Sequence, residues 1–298
     1  MRRYLNPMAL LAALLLGACA SATTSEGNPS SPAPKPIDPD APPPTEEGKG
    51  PAVTYRPVTK ASYRLERRDS LVFQYEGASQ VQTRDRVAKV HLTIAQAPSP
   101  GTYRVTVTLD SLEALESGTP VPPDSVAAAL GATWTGTLSN VGTLSELKPD
   151  REGTLTGELA GHLRLLFPAL PEGGVREGMQ WTDSASYPLV SDAFTGNEEA
   201  VTVYRAAGRE AVAGREAIPL ETSSKYSRTG KRIQGEQELE MTATGTRSGV
   251  HRLSVDGALV SAEGTDTGEM TISVPAVGQT VPVTRSSTYA VSSLASGP

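Results

Sequence analysis

The chain has 298 residues, of which 38% are hydrophobic and 20% charged, and its net charge is -6 at neutral pH. That length carries one large domain or two modest ones. Lys and Arg are scattered, which excludes the basic face that nucleic acid requires. The single cysteine, Cys19, excludes disulfides, thiolate nucleophiles and cysteine zinc sites from everything after it.

The first 19 residues read MRRYLNPMALLAALLLGAC. Arg2 and Arg3 give a positive start, and Met8–Leu16 is an uncharged apolar run. The run is too short for a bilayer core, which needs roughly 20 residues, and it fits the apolar segment of a signal peptide. It ends in Leu16-Gly17-Ala18-Cys19, an aliphatic residue, two small ones and the cysteine. This resembles the lipobox of bacterial lipoproteins. The resemblance implies a signal peptide over residues 1–18, cleavage before Cys19, and lipid attached to Cys19. It also implies a membrane as partner through that lipid, since several acyl chains anchor firmly where one does not. Ala20 and Ser21 follow the cysteine and no Asp does. By analogy with enteric bacteria, the outer membrane is favoured over the inner.

Residues 19–51 form the lipidated cysteine and a Pro-rich tether. The stretch SSPAPKPIDPDAPPPTEEGKG holds Pro42-Pro43-Pro44 and almost no apolar side chain except Ile37. Such a segment buries too little surface to offset its ordering entropy. At about 3.1 Å per residue in polyproline II, thirty residues reach about 90 Å at most. A spacer is expected.

From residue 52 to 298 alternation dominates. Tyr63 and Leu65 alternate with Arg64 and Glu66, and Leu71, Phe73 and Tyr75 with Val72, Gln74 and Glu76. Val90, Leu92 and Ile94 give one further strand; Tyr103, Val105, Val107 and Leu109 give the clearest. Later candidates are Ala200–Arg205, Ile218–Tyr226, Gln234–Thr244, Val250–Val260, Met270–Val274 and Val281–Val291. Gly77, Pro100-Gly101, Gly208, Gly214, Thr229-Gly230, Asp256-Gly257 and Thr267-Gly268 mark turns. Leu155, Leu159, Leu163, Leu166 and Phe167 share one helical face over 152–167. Asp150 or Thr154 is placed to cap that helix and Pro168 to stop it. Gly153, Gly157 and Gly161 are spaced to let it lie close on a sheet. A shorter helix is expected over Asp124–Leu130, with Gly131 as its C-cap.

The expected fold is mainly β: a large antiparallel curved sheet, as half-barrel, barrel or sandwich, with one central helix around 152–167. Short turns require antiparallel neighbours, and alternation requires one buried and one wet face. Two similar halves, 52–150 and 175–298, would be joined by the helix; Ala132–Leu147 and Gly268–Leu294 share a strand, Val-Gly, strand character. This organisation resembles the half-barrel carriers of the LolA/LolB type, which implies a lipid-binding cleft. The run Leu170-Pro171, Val175, Gly178, Trp181 resembles a phrase of uncharacterised bacterial exported β-domains, which implies no activity.

Chemistry leaves few candidates. His91, His162 and His251 fall on separate elements and none has a partner at metal spacing. No GxSxG elbow or SxxK is present. Glu198-Glu199 reads as a polar hairpin leading into strand Ala200–Arg205. Glu236, Glu238 and Glu240 share a strand face that reads as solvated, with Gln237, Leu239 and Met241 opposite. Arg64, Arg67, Arg68, Arg84, Arg86 and Lys89 mix with Glu66, Asp69 and Asp85, which favours cross-strand pairing over an anion site. Trp134 and Trp181 read as core residues. The expectation is a lipid-anchored envelope lipoprotein, non-enzymatic, with no catalytic residues, metal or cofactor. It would bind or carry a hydrophobic ligand such as a lipid, or dock an envelope protein. The alternatives are an envelope enzyme, hydrolase-like with a dispersed active site, and a structural surface lipoprotein.

Overall fold

A computed structural model describes residues 48–294 apart from 76, 192–193 and 235–236. The leader, Cys19 and the Pro-rich tether up to residue 47, as well as Glu236, lie outside the described residues; the tether expected to run to residue 51 ends sooner, because Lys49–Pro51 already belong to a strand that pairs with Val175–Glu177. The chain runs β1 (Lys49–Val53), β2 (Val58–Tyr75), β3 (Ala78–Gln96), β4 (Thr102–Glu116), β5 (Thr119–Pro120), α1 (Pro123–Ala129), β6 (Thr133–Ser139) and β7 (Leu144–Pro149). There follow α2 (Thr154–Leu163), which continues as a 3-10 turn over Arg164–Leu166, then β8 (Val175–Glu177), β9 (Gln180–Ser191), β10 (Phe194–Ala206) and β11 (Glu210–Val212). The last strands are β12 (Arg215–Gln234), β13 (Gln237–Ser254), β14 (Leu259–Val274) and β15 (Gln279–Leu294).

Thirteen strands form one sheet in the order β7-β6-β4-β3-β2-β15-β14-β13-β12-β10-β9, with β5 beside β4 and β11 beside β12. Every pairing is antiparallel. The sheet curls into a half-barrel around the central helix, as the alternating pattern predicts. The first and last strands of this sheet in chain order meet in its middle, where β2 pairs with β15 from Phe73↔Val283 to Ser62↔Leu294. Prolines respect the ladder. Pro282 lies just past the last β2 pair of β15, and Pro219 just past the last β10 pair of β12, so neither breaks a bond that a second neighbour needs.

Period two sorts the faces. On β15, Val281, Val283, Ser287, Tyr289 and Val291 are buried while Thr280, Pro282, Thr284, Ser286, Thr288, Ala290 and Ser292 are exposed. On β13 the convex face carries Glu238, Glu240, Thr242, Thr244, Thr246 and Ser248. A lipid-embedded barrel needs an apolar outer band, and these strands show the reverse: wet outside, packed inside. No helix among the described residues is long and apolar enough to cross a membrane.

The core fills one end of the concavity. Val105, Val107, Trp134, Leu138, Leu163, Ile218, Leu220 and Leu253 are fully buried there. Helix α2 touches β7 and β9, the two edge strands of the sheet, and so bridges the open side of the half-barrel. Leu155, Leu159 and Leu163 enter the core, as their spacing predicts. The start of the helix differs from expectation. Gly153 is the N-cap and no side chain caps it, although Thr156 Oγ1 bonds back to Gly153 O at 2.9 Å. Asp150 is occupied elsewhere, accepting from Thr133 N at 2.9 Å. Nor does Gly161 seat the helix on a sheet: a Cβ there would meet nothing within 4 Å. The shorter helix is α1, and Gly131 after it takes φ of 72°, a left-handed conformation that favours glycine.

Candidate functional site

The apolar file on the concave face is interrupted halfway along the long strands. On β2, Tyr63 and Leu65 are followed on the same face by Arg67 and Asp69, then by Leu71 and Phe73. On β15 the file Val291, Tyr289 gives way to Ser287 and Arg285 before Val283 and Val281. The strand registers bring these interruptions into one stripe: Asp69 stands opposite Ser287, Ser287 opposite Asp266, Asp266 opposite Arg247. Further across, Arg228 stands opposite Glu198, and Glu198 opposite Tyr187.

The result is a connected ionic layer. Arg67 grips Asp69, Nη2 to Oδ1 at 2.8 Å and Nε to Oδ2 at 2.9 Å. Arg285 Nη2 reaches both Asp69 (3.2 Å) and Asp266 (3.5 Å). Arg247 Nε lies 3.3 Å from Asp266, and its two terminal nitrogens hold Glu198 at 2.7 and 2.9 Å. Arg228 Nε donates to the same Glu198, and Ser287 Oγ donates to Asp69. Tyr226 Oη donates to Asp266 Oδ1 at 2.8 Å. Its ring lies under two guanidiniums, 4.3 Å from Arg247 and 4.9 Å from Arg228, a stacked arrangement suited to arginine.

Four glycines make room for this layer. Gly245, Gly249, Gly264 and Gly268 lie on the same face of β13 and β14. A Cβ on Gly245 would stand 2.6 Å from Tyr226 Cζ, and one on Gly264 2.6 Å from Tyr289 Cζ. The two tyrosines therefore lie flat on bare backbone. Helix α2 covers the layer with polar groups. Glu158 bonds Arg86 at 3.1 Å and Arg84 at 3.4 Å, and Arg164 stacks on Tyr187 at 4.5 Å.

Titration follows from this geometry. Burial opposes the charge of Glu198, but Arg247 and Arg228 outweigh it and hold the carboxyl down at about 2. Burial likewise works against Asp69, yet Arg67, Arg285 and Ser287 keep it well below the usual carboxylate range. Asp266 is lowered against its burial by Arg285 and Arg247. Burial, with the charge of Arg67 adding to it, pushes His162 far below the ordinary imidazole value. All three carboxylates are thus ionised at neutral pH and His162 is neutral.

Beyond the layer the concave face turns apolar again. Leu71, Val281 and Val283 are buried together, with Phe73, Tyr75, Met270 and Ile272 packed against them. Separately, an open groove of about 440 Å³ runs beside α1, lined by Leu112, Ala114, Val121, Val126 and Leu130 among others. It gathers no ionic network comparable to the layer.

The residues singled out in the sequence are dispersed. His91 sits on the convex face, 2.7 Å from Asp110. His251 is in the core near Tyr289, its Nδ1 without a partner among the described residues, and burial pushes it down to about 4. His162 lies over the ionic layer, so the three do not converge. Among the described residues no group of three or more potential ligands is placed to hold a metal. Trp134 is fully buried; Trp181 is half-buried, stacked on Tyr204 at 5.0 Å, and donates to Ala169 O.

Two readings of charged residues are corrected. Glu198 is not in a polar hairpin: β10 already runs through it, and its side chain is 6% exposed between two arginines. Arg68–Asp85 and Arg86–Glu116 do pair across strands, but Arg67 and Asp69 turn inward into the layer. Glu238 and Glu240 are exposed as expected and share Lys231. A parity check was the available signal: Arg67, Asp69, Arg285, Asp266 and Arg247 all occupy positions in phase with buried apolar neighbours.

Comparison with family models gives no match, and comparison with curated proteins gives none. Among solved structures, one described as "Asymmetric conductivity of engineered proteins" is 9% identical, covering 79% of this chain and 99% of that one, with a TM-score of 0.19. Two variants of a Rh. blastica porin are 8% identical over the same shares, with TM-scores of 0.19 and 0.18. Scores that low carry no argument about fold or function.

Proposed function

We propose that this protein is a lipid-anchored lipoprotein of the cell envelope, favoured at the outer membrane, and that its half-barrel binds a hydrophobic ligand or an envelope partner without catalysing a reaction. The observation that carries the binding role is the division of the concave face. One end is closed by the packed core, α2 bridges the open side, and past the ionic layer the long strands continue with an apolar inner face. The polar convex face leaves that inner surface as the extended apolar one on these strands. The anchor rests on the leader sequence, in which Cys19 follows Leu16-Gly17-Ala18.

Two measurements test the proposal. Native mass spectrometry of the full chain carrying Cys19→Ser, with and without added single-chain amphiphiles, should show adducts; a clean apo mass throughout would remove the ligand reading. The same variant should lose acylation and leave the membrane fraction while keeping its β-sheet circular dichroism. Retention on membranes after a high-salt wash would remove the anchor.

A further inference from the structure

We propose that the ionic layer and the apolar file beyond it form one binding site for an anionic amphiphile, with the anionic head on the arginines and the alkyl chain along Leu71, Phe73, Val283, Met270 and Ile272. This rests on the ligand-binding reading and specifies its chemistry.

The first argument is charge. Arg67, Arg228, Arg247 and Arg285 face Asp69, Glu198 and Asp266, four cations against three anions. That count leaves one positive charge in excess in a layer whose side chains are 5 to 28% exposed. Each arginine already has a carboxylate partner, but they share three carboxylates among four cations, so the layer is complementary to one further anion. Guanidinium binds carboxylate or phosphate with two parallel donors, and Arg228 and Arg247 are the most exposed of the four at 28 and 25%.

The second argument is placement. The apolar file begins one inward-facing position beyond the arginines: Val283 follows Arg285 on β15, and Leu71 follows Asp69 on β2. On the inward positions of β2 after Asp69, β15 before Arg285, β14 after Asp266 and β13 before Arg247, no described residue is charged. From Arg285 to Val281 is four residues, about 13 Å of apolar wall. A short anion would meet only the first feature and a neutral hydrocarbon only the second. One molecule with both parts satisfies the site.

Isothermal titration of the full chain carrying Cys19→Ser with decyl phosphate, decanoate, 1-decanol and inorganic phosphate tests this, each alkyl probe below its micellar concentration. Decyl phosphate or decanoate should bind at least tenfold more tightly than both 1-decanol and inorganic phosphate. Arg228→Gln should cancel that advantage, and Ile272→Asp should weaken all three alkyl probes. If Arg228→Gln loses its β-sheet signal, Arg164→Gln serves as the second variant, with a smaller loss expected. Equal affinity for decyl phosphate, decanoate and 1-decanol would overturn the inference and leave the hydrophobic-ligand reading standing. Inorganic phosphate binding as tightly as decyl phosphate would overturn the apolar half. No binding by any alkyl probe would overturn both this inference and the reading on which it rests.

Discussion

The two stretches of the same concave face obey different rules, although the same strands build both. On β13 the core stretch carries His251 and Leu253, and the layer a turn of the pleat away carries Arg247 flanked by Gly245 and Gly249. The core holds by close packing, in which every lost methylene is felt. The layer holds by mutual satisfaction: each carboxylate has two or more cationic or hydroxyl partners, and removing one leaves a buried charge behind. Packing stabilises without specifying chemistry, whereas a buried ionic network is weak evidence for stability in itself.

Substitutions separate these rules. Trp134→Ala should cost the most, about 4 kcal/mol, by emptying a fully buried aromatic site, measured by urea unfolding with unchanged slope. Glu198→Ala should cost about 3 kcal/mol, because Arg228 and Arg247 both lose their carboxylate. A loss under 1 kcal/mol would show that the layer is solvated and not buried. The pH dependence distinguishes the stretches as well. His251 has its folded pKa held down at about 4 against 6.5 unfolded. The unfolded chain therefore takes the proton first, and stability is full above about pH 6.5. It falls by about 3 kcal/mol as pH drops to about 4. His251→Phe should remove the His251 share of that fall, leaving the share of His162, which burial also holds down. Glu198 acts lower: its contribution is present above pH 4.5 and is lost as pH falls through about 2, so Glu198→Gln should flatten the acid limb instead. Gly264→Ala should cost about 2 kcal/mol, because its Cβ would crowd both the Ser248 carbonyl on β13 and the ring of Tyr289, visible as a change in near-ultraviolet dichroism. Smallest, Glu240→Gln on the convex face should cost less than about 0.5 kcal/mol, since its contact with Lys231 at 3.5 Å is exposed.

Strand faces were legible because period-two alternation is a local property, but strand lengths were not: Thr229-Gly230 and Thr267-Gly268 mark no turn, and β12 and β14 run through them. Tyr103 to Leu109 and Val281 to Val291 read correctly from their own neighbours alone. The helix was legible through its leucine spacing and Pro168, but not its N-terminus, because Asp150 finds its partner in Thr133 on another strand. The ionic layer was not legible as a site. Arg, Asp and Glu within a strand look solvated until the register is known, and Arg67 meets Asp266 only across β15.

What the sequence determined by itself is the mainly β architecture with its central helix and its wet outer face, since each follows from the periodicity of burial along single segments. What tertiary structure decided is which polar residues turn inward and whom they meet. That depends on β2 pairing with β15, and so on residues more than 200 positions apart. No local pattern encodes that distance; only the closed register of the sheet brings Asp69, Arg285 and Asp266 into one buried layer.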